Sequence, residues 1–386
     1  MILSRRRALS AGCSVAMLSL LRDPLAALGL DDAGPAASAE ELIPFLDVQP
    51  IDPKKPMLKW EGLTDWLTPT DQFFAVSHYG TATVAADDWK LRIEGLVDKP
   101  VALSLDKLKA RPRKEATAIL ECSGNGAGAG FMGAIGNARW AGTPLAPLLK
   151  ECGPKAEAVQ AVFWGADKGK ETVHKDIQFD ANFARSLSMP NALRDDILLA
   201  YEMNGQPLAA GHGFPVRLIV PGWYGIAWVK WLTRIELVDR PFQNRFMARD
   251  YVTLRGEERD GKIVYTEKSV GPMNVKSLVA RVTRRPDGVV RVTGAAWTDG
   301  TPVKSVELKI DDGDWVAARL DEQHTDPFCW RFWSYDWKDA KPGEHTLVSR
   351  AIDEKGRVQP SADDPAIKLK KTYWEANAQY PRRIKL

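Results

Sequence analysis

An α+β domain followed by an all-β sandwich is the fold class that this 386-residue chain predicts. Three observations carry it. Between about residues 57 and 256, short strand patterns mix with short helical ones and no regular βαβ alternation is visible. From about residue 273 the texture changes to apolar residues alternating with charged ones, at the spacing of a β-sandwich. Between them, residues 257–272 are charged and punctuated by glycine, which reads as a connector.

Composition narrows the class of function. A hydrophobic content of 45% with 27% charged residues is that of a globular protein and excludes wholesale disorder. A formal net charge of +3 is too small to argue for nucleic acid or an anionic membrane. The four cysteines are Cys13, Cys122, Cys152 and Cys329, with no CxxC or CxxCH, so neither a zinc ribbon nor covalently attached haem is expected. Cys13 falls in the leader, and three remaining cysteines cannot form a complete disulfide framework. Cys152 and Cys329 read as free structural thiols.

Taken in order, residues 1–29 read as an export signal. Arg5-Arg6-Arg7 is followed by Leu9 and by an apolar run, Ala11 to Leu21, too short to span a membrane. The pattern resembles a twin-arginine leader and predicts a periplasmic protein. Residues 30–56, rich in Ala, Pro, Asp and Glu, read as a linker or arm with little structure of its own. Gln72 to His78 reads as an aromatic strand ending in histidine, and Lys90 to Glu94 alternates as a half-buried strand. Ser104 is placed to cap a short helix. Ala118-Ile119-Leu120 reads as a strand that delivers Cys122 into the glycine-rich run from Gly124 to Gly130. Ile197 to Met203 reads as a buried strand, with Asn204-Gly205 as a hairpin turn and Val216 to Val220 as the next strand. In the sandwich, strands are expected at Val289–Val292, Val306–Ile310, Thr346–Ile352 and Ile367–Leu369. The basic tail Arg382-Arg383-Ile384-Lys385 reads as a solvated end.

Five side chains could carry chemistry: Cys122, His78, His212, Arg217, and Lys230 within Trp228-Val229-Lys230-Trp231. A lone histidine on an apolar face is ordinarily a hydrogen-bonded core residue. Arg217 and Lys230 are harder to assign to structure, because both interrupt segments that otherwise read as buried. Buried cations need anionic partners, and a phosphate group is a natural one. A thiolate suits a redox metal, so these residues together point to a phosphorylated, metal-bearing cofactor.

The run Leu198-Leu199-Ala200-Tyr201-Glu202-Met203-Asn204-Gly205-Gln206-Pro207-Leu208, continuing to His212-Gly213-Phe214-Pro215-Val216-Arg217, resembles the signature of the sulfite oxidase family of molybdenum-pterin enzymes. The resemblance extends over roughly residues 60–375, and the C-terminal block is similar to the family's immunoglobulin-like dimerisation domain. It implies molybdenum-molybdopterin as cofactor, with Cys122 as the protein thiolate on the metal and Tyr251 as the active-site tyrosine. It further implies that His78, His212, Arg217, Trp228, Val229 and Lys230 hold the pterin and its phosphate, and it leaves His174 and Asp176 as loosely aligned candidates near the pterin. The implied reaction is oxidation of sulfite to sulfate, with electrons leaving to an external c-type cytochrome because the chain carries no haem motif. A homodimer is also implied. Two departures stand out. Where sulfite-oxidising members carry arginines, this chain has Val76 and Ala127, and the family's active-site tryptophan is replaced at or near Phe131. Losing two cationic forks weakens capture of a dianion, which favours another sulfur substrate (a sulfane or organic sulfur centre, or a sulfoxide in reverse) unless Arg139, Arg249 or Arg255 compensates. Readings from other classes are a cysteine hydrolase pairing Cys122 with His78 or His212, and an exported binding protein without a metal.

Overall fold

The computed structural model describes residues 40–48, 57–128 and 130–386; the expected leader, 1–29, lies outside them. The first domain is built on two five-stranded sheets. One has the order Val101–Ser104, Lys90–Gly95, Leu232–Val238, Gln160–Val173, Ile177–Ser188, with Leu232–Val238 parallel to Lys90–Gly95 and the other pairs antiparallel. The other is antiparallel, in the order Arg217–Ile219, Leu198–Met203, Ile135–Pro144, Lys114–Glu121, with Gln206–Pro207 returning beside Leu198–Met203 through the Asn204-Gly205 turn. Short helices fill the corners. Ser104 caps Leu105–Lys109 as expected, its Oγ accepting from the Lys107 N–H.

The sandwich packs a sheet ordered Glu41–Leu42, Lys276–Arg284, Val290–Trp297, Arg331–Trp337, Arg319–Leu320 on one ordered Val316–Ala317, Val303–Ile310, Glu344–Asp353, Arg382–Lys385. Val279, Val282, Val292, Val306, Leu308, Leu347 and Ile384 form its core. The two domains meet through apolar contact, since Leu278, Ala295, Trp297 and Trp330 of the sandwich join the first domain's core and Trp60 stacks on Trp297 at 6.0 Å. Such a dry contact fixes one domain against the other.

Five expectations are corrected. The 257–272 connector is mostly a two-stranded hairpin, Val252–Arg259 paired with Lys262–Ser269 around Asp260-Gly261. Its charge pattern hid a strand pair because both faces of the outer half are exposed. The arm is not free: Glu41–Leu42 adds an edge strand to Lys276–Arg284, and Phe45 bridges to Ile384. The basic tail is a strand as well. Its alternation buries Arg382 and Ile384, and Arg382 lies 3.7 Å over the Phe45 ring with Asp47 at 3.1 Å. Residues 367–369 lie in and just after a helical turn, Pro365–Lys368, started by Asp364, whose carboxylate accepts from the Ala366 N–H. Finally, Gln72 to Ser77 is no strand. A turn at 70–72 leads into chain with no strand pairing, and the consecutive burial of Phe73 and Phe74 leaves no alternation for a sheet to use.

Candidate active site

Strand Lys114–Glu121 ends one residue before Cys122, and the chain then folds tightly back: the Cys122 N–H donates to the Ala134 carbonyl at 2.9 Å and the Asn125 N–H to the Cys122 carbonyl at 2.9 Å. This turn holds the sulfur at the wall of a cleft. The cleft is lined by Cys122, His78, His212, Arg217, Trp228, Lys230 and Tyr251, so chain segments up to 173 residues apart converge there. Val229 is the exception among the expected residues. It is fully buried, its N–H donates to Ala227 and its carbonyl accepts from Leu218, so it has no group to offer the cleft.

The deep end of the cleft is cationic. Arg217 is 3% exposed and has no carboxylate partner among the described residues; its guanidinium donates to the carbonyls of His212 at 3.1 Å and Trp228 at 3.3 Å and lies 5.0 Å from the Trp140 ring. Burial lowers its pKa to about 9. Lys230 donates to the Gly211 carbonyl at 2.9 Å, and burial together with Arg217 lowers its pKa to about 7. His212 is held neutral, its pKa lowered to about 4 by burial and then by Arg217. Gly213, at φ +103°, lets these groups converge, because a Cβ there would stand 3.0 Å from the Lys230 side chain and 3.1 Å from that of Arg217.

The acid in this region is one that sequence reasoning missed. Asp167 lines the cleft at 5% exposure, burial raises its pKa to about 6, and its Oδ1 has no hydrogen-bond partner. His174 and Asp176, the candidates from that stretch, sit exposed beyond it, in the outer part of the hairpin between the two long strands. Asp167 stands in the charged run Asp167-Lys168-Gly169-Lys170-Glu171, where no local signal marks which carboxylate is buried. Ser123 Oγ and Arg217 Nε are likewise buried without partners. Three orphaned polar atoms in or beside one cleft, of both donor and acceptor type, fit a ligand carrying a phosphate and a hydrogen-bonding ring.

The outer part of the cleft is built differently. His78 faces the opening, with Phe183 stacked at 5.8 Å and Phe246 at 4.9 Å; desolvation by these rings, then Arg245, lowers its pKa to about 4. The Tyr251 hydroxyl lies 2.8 Å from His78 Nε2 and its own pKa is raised by burial, so the tyrosine keeps its proton in a hydrogen bond with a neutral imidazole. Tyr251, at φ +58°, is in left-handed backbone, and Trp374 stacks on it at 4.1 Å. Val76 is 41% exposed on the cleft wall, beside Phe74, Phe183 and Ile226. The arginines that could have compensated for it are engaged elsewhere. Arg249 pairs with Glu171 at 2.9 Å, Arg255 with Glu375 at 3.0 Å, and Arg139 is exposed outside the cleft. Arg245 is shared between Glu171 at 3.2 Å and Asp250 at 2.6 Å. Ala127 lies exposed beyond the cleft lining, and Phe131 packs near Gly124.

Neither His78 nor His212 hydrogen-bonds the Cys122 sulfur among the described residues, and burial pushes the thiol up to about 11. A hydrolase nucleophile needs the opposite, a base in contact and a lowered pKa. Cys152 and Cys329 are free and buried.

Comparison with known proteins agrees with this geometry. Residues 78–246 match the oxidoreductase molybdopterin binding domain, and residues 268–375 match the Mo-co oxidoreductase dimerisation domain. The chain is 32% identical to mitochondrial sulfite oxidase of Drosophila melanogaster over 83% of its own length and 59% of that protein's. It is 32% identical to sulfite oxidase of Gallus gallus, over 79% of this chain and 70% of that one. It is 28% identical to nitrate reductase [NADH] 2 of Phaseolus vulgaris, covering 37% of that protein. The chain thus spans about three fifths of the length of the mitochondrial relatives it matches. Among solved structures it is similar to the sulfane dehydrogenase SoxCD of Paracoccus pantotrophus, with a TM-score of 0.73, 27% identity, and 94% and 97% of the two chains covered.

Proposed function

The chain belongs to the sulfite oxidase family of molybdopterin oxidoreductases, and from that premise we propose that it oxidises a small sulfur substrate in the periplasm and passes the electrons to a separate c-type cytochrome. One observation carries the reading: Cys122 and the Tyr251–His78 pair line the same cleft as Arg217 and Lys230, two cations with no carboxylate in contact among the described residues. Cys122 would hold the molybdenum of the cofactor, which would supply two-electron redox chemistry there.

The protein's own groups divide the remaining work. Arg217 and Lys230 are donors for the cofactor phosphate, Arg as a planar fork and Lys as a point charge. Neutral His212 offers a further hydrogen bond, and Asp167 Oδ1 an acceptor for ring N–H groups. Tyr251 holds a proton near the sulfur of Cys122, anchored through His78. Phe74, Phe183, Ile226 and Trp228 supply apolar wall in the same cleft. The periplasmic site and cytochrome acceptor rest on the twin-arginine-like leader and on the lack of a haem-attachment motif in the sequence. Dimerisation through the sandwich rests on the likeness of residues 268–375 to a dimerisation domain.

Sulfite is the first substrate to test, because of the sulfite oxidase relatives. A second reading, a sulfane or organic sulfur centre of low charge, is favoured by the neutralised outer cleft around Val76. The deciding measurement is sulfite-dependent reduction of cytochrome c by protein whose molybdenum content has been quantified. Turnover at near-full molybdenum is the outcome the sulfite reading expects. Full molybdenum with no sulfite turnover sinks that reading and leaves the low-charge substrate.

A further inference from the structure

Beneath the cysteine turn lies a buried ion pair that joins the two domains. The side chains of Glu121 and Lys276 are 0% and 4% exposed, with Lys276 Nζ 2.8 Å from Glu121 Oε1. Lys276 also donates to the Asn125 carbonyl at 2.8 Å. Trp297 Nε1 donates to Glu121 Oε2 at 2.8 Å, and Asn125 Nδ2 donates to Oε1 at 3.0 Å. Asn125 Oδ1 in turn accepts from the Ala134 N–H at 3.0 Å. Lys276 and Trp297 are sandwich residues; Glu121 and Asn125 flank Cys122. Gly126, at φ +92°, leaves room for the ammonium group, since a Cβ there would stand 2.8 Å from Nζ.

Stability does not require this arrangement. A buried ion pair ordinarily contributes no more than well-packed apolar residues of the same volume, and the surrounding contact of Trp60, Trp297 and Met132 is already apolar. What an apolar pair could not do is grip both sides of the turn at once, the residue before Cys122 and the carbonyl three residues after it. We propose that Lys276 is a positioning residue: through Glu121 and the Asn125 carbonyl, the sandwich domain sets the orientation of the Cys122 sulfur in the cleft. The inference rests on the reading of Cys122 as the metal ligand. It gives the second domain a part in the site besides pairing chains.

The test uses the full-length protein as purified, native against the double variant Glu121→Gln with Lys276→Met. The amide oxygen that replaces one carboxylate oxygen can still accept from Trp297 Nε1, the bond from Asn125 Nδ2 is given up, and no buried charge is stranded. Three quantities are read: the rate of iodoacetamide labelling at Cys122, molybdenum per chain, and the melting temperature. The expected result is labelling at Cys122 about tenfold faster and at least half the molybdenum lost, with melting within a few degrees of native. Cys152 and Cys329, buried elsewhere, serve as the control, because general loosening would speed their labelling too. Unchanged Cys122 labelling and molybdenum in the double variant overturns the proposal, as does an equal increase at all three cysteines. If the double variant fails to fold, Trp297→Phe removes one bond to Glu121 and is expected to speed Cys122 labelling two- to threefold; no change there overturns the proposal. A native protein that contains no molybdenum would defeat the functional reading instead, and the labelling comparison would still decide the clamp.

Discussion

The two ends of the cleft handle positive charge in opposite ways. At the deep end, Arg217 is buried and Lys230 half-buried, and neither makes a carboxylate contact among the described residues. Around the opening, Arg245 and Arg249 are matched by Glu171 and Asp250, and the wall between is Val76 with aromatic rings. Burying an unmatched guanidinium is costly, so the deep end is shaped for an anion that the protein does not itself supply. The opening is electrically satisfied without a ligand. On the proposed reading, the fold commits its positive field to holding a cofactor and withholds it from the incoming substrate.

The sharpest way to break this comparison is Arg217→Met. If the guanidinium exists to hold a phosphate, its loss should weaken cofactor retention by about 10–100-fold, the range for hydrogen bonds to a charged group. The folded chain should meanwhile lose no thermal stability, because an unmatched buried charge is replaced by an apolar side chain of similar length. Molybdenum content and melting temperature on the same preparation check both halves. A variant that melts much lower yet retains its molybdenum would show Arg217 to be a structural residue tying His212 and Trp228 together.

A smaller effect is expected at the opening. Val76→Arg places a cation where none is free, and kcat/KM for sulfite should rise about tenfold at low ionic strength and fall back with added salt. An uncharged sulfur substrate should gain nothing. Steady-state kinetics at two salt concentrations decide it, and an unmoved value for sulfite would mean that charge at this wall does not govern entry.

The contrast also explains how much of the site could be read in advance. Arg217 and Lys230 stood out because a cation inside an apolar run violates a strong local rule, and Cys122 because glycines surround it. Asp167 was missed because it opens a charged run with Lys168, Lys170 and Glu171, so nothing local marks that carboxylate as a buried one. The neutralisation of Arg249 and Arg255 depends on Glu171 and Glu375, 78 and 120 residues away, and spacing along the chain carries no trace of such pairs. Val229 shows the reverse error. A run of three resembling residues was read as a unit, yet the chain bends after Gly225–Ala227 and turns the middle one into the core. The α+β domain and the sandwich were legible through periodicity. The hairpin at 252–269 was not, since exposure on both faces erases the alternation that marks a strand.

The mildest expected effect is a pH dependence of stability, and its sign follows from the same deep-end field. Burial first, and Arg217 second, lower the pKa of His212 from 6.5 to about 4. Between those values the unfolded chain binds a proton that the folded chain refuses. Stability is therefore complete above pH 6.5 and drains away as pH falls toward 4. Because burial is the larger cause, Arg217→Met should raise the pKa of His212 only modestly, whereas His212→Gln removes this contribution altogether. Urea unfolding at about pH 5 and about pH 7.5 should then differ by about 2 kcal/mol less in His212→Gln than in the native chain. An identical pH difference in the two proteins would mean that His212 is already protonated at the lower pH. In that case the deep end would be holding a positive imidazole beside Arg217, and its field would have to be far weaker than the burial of these groups implies.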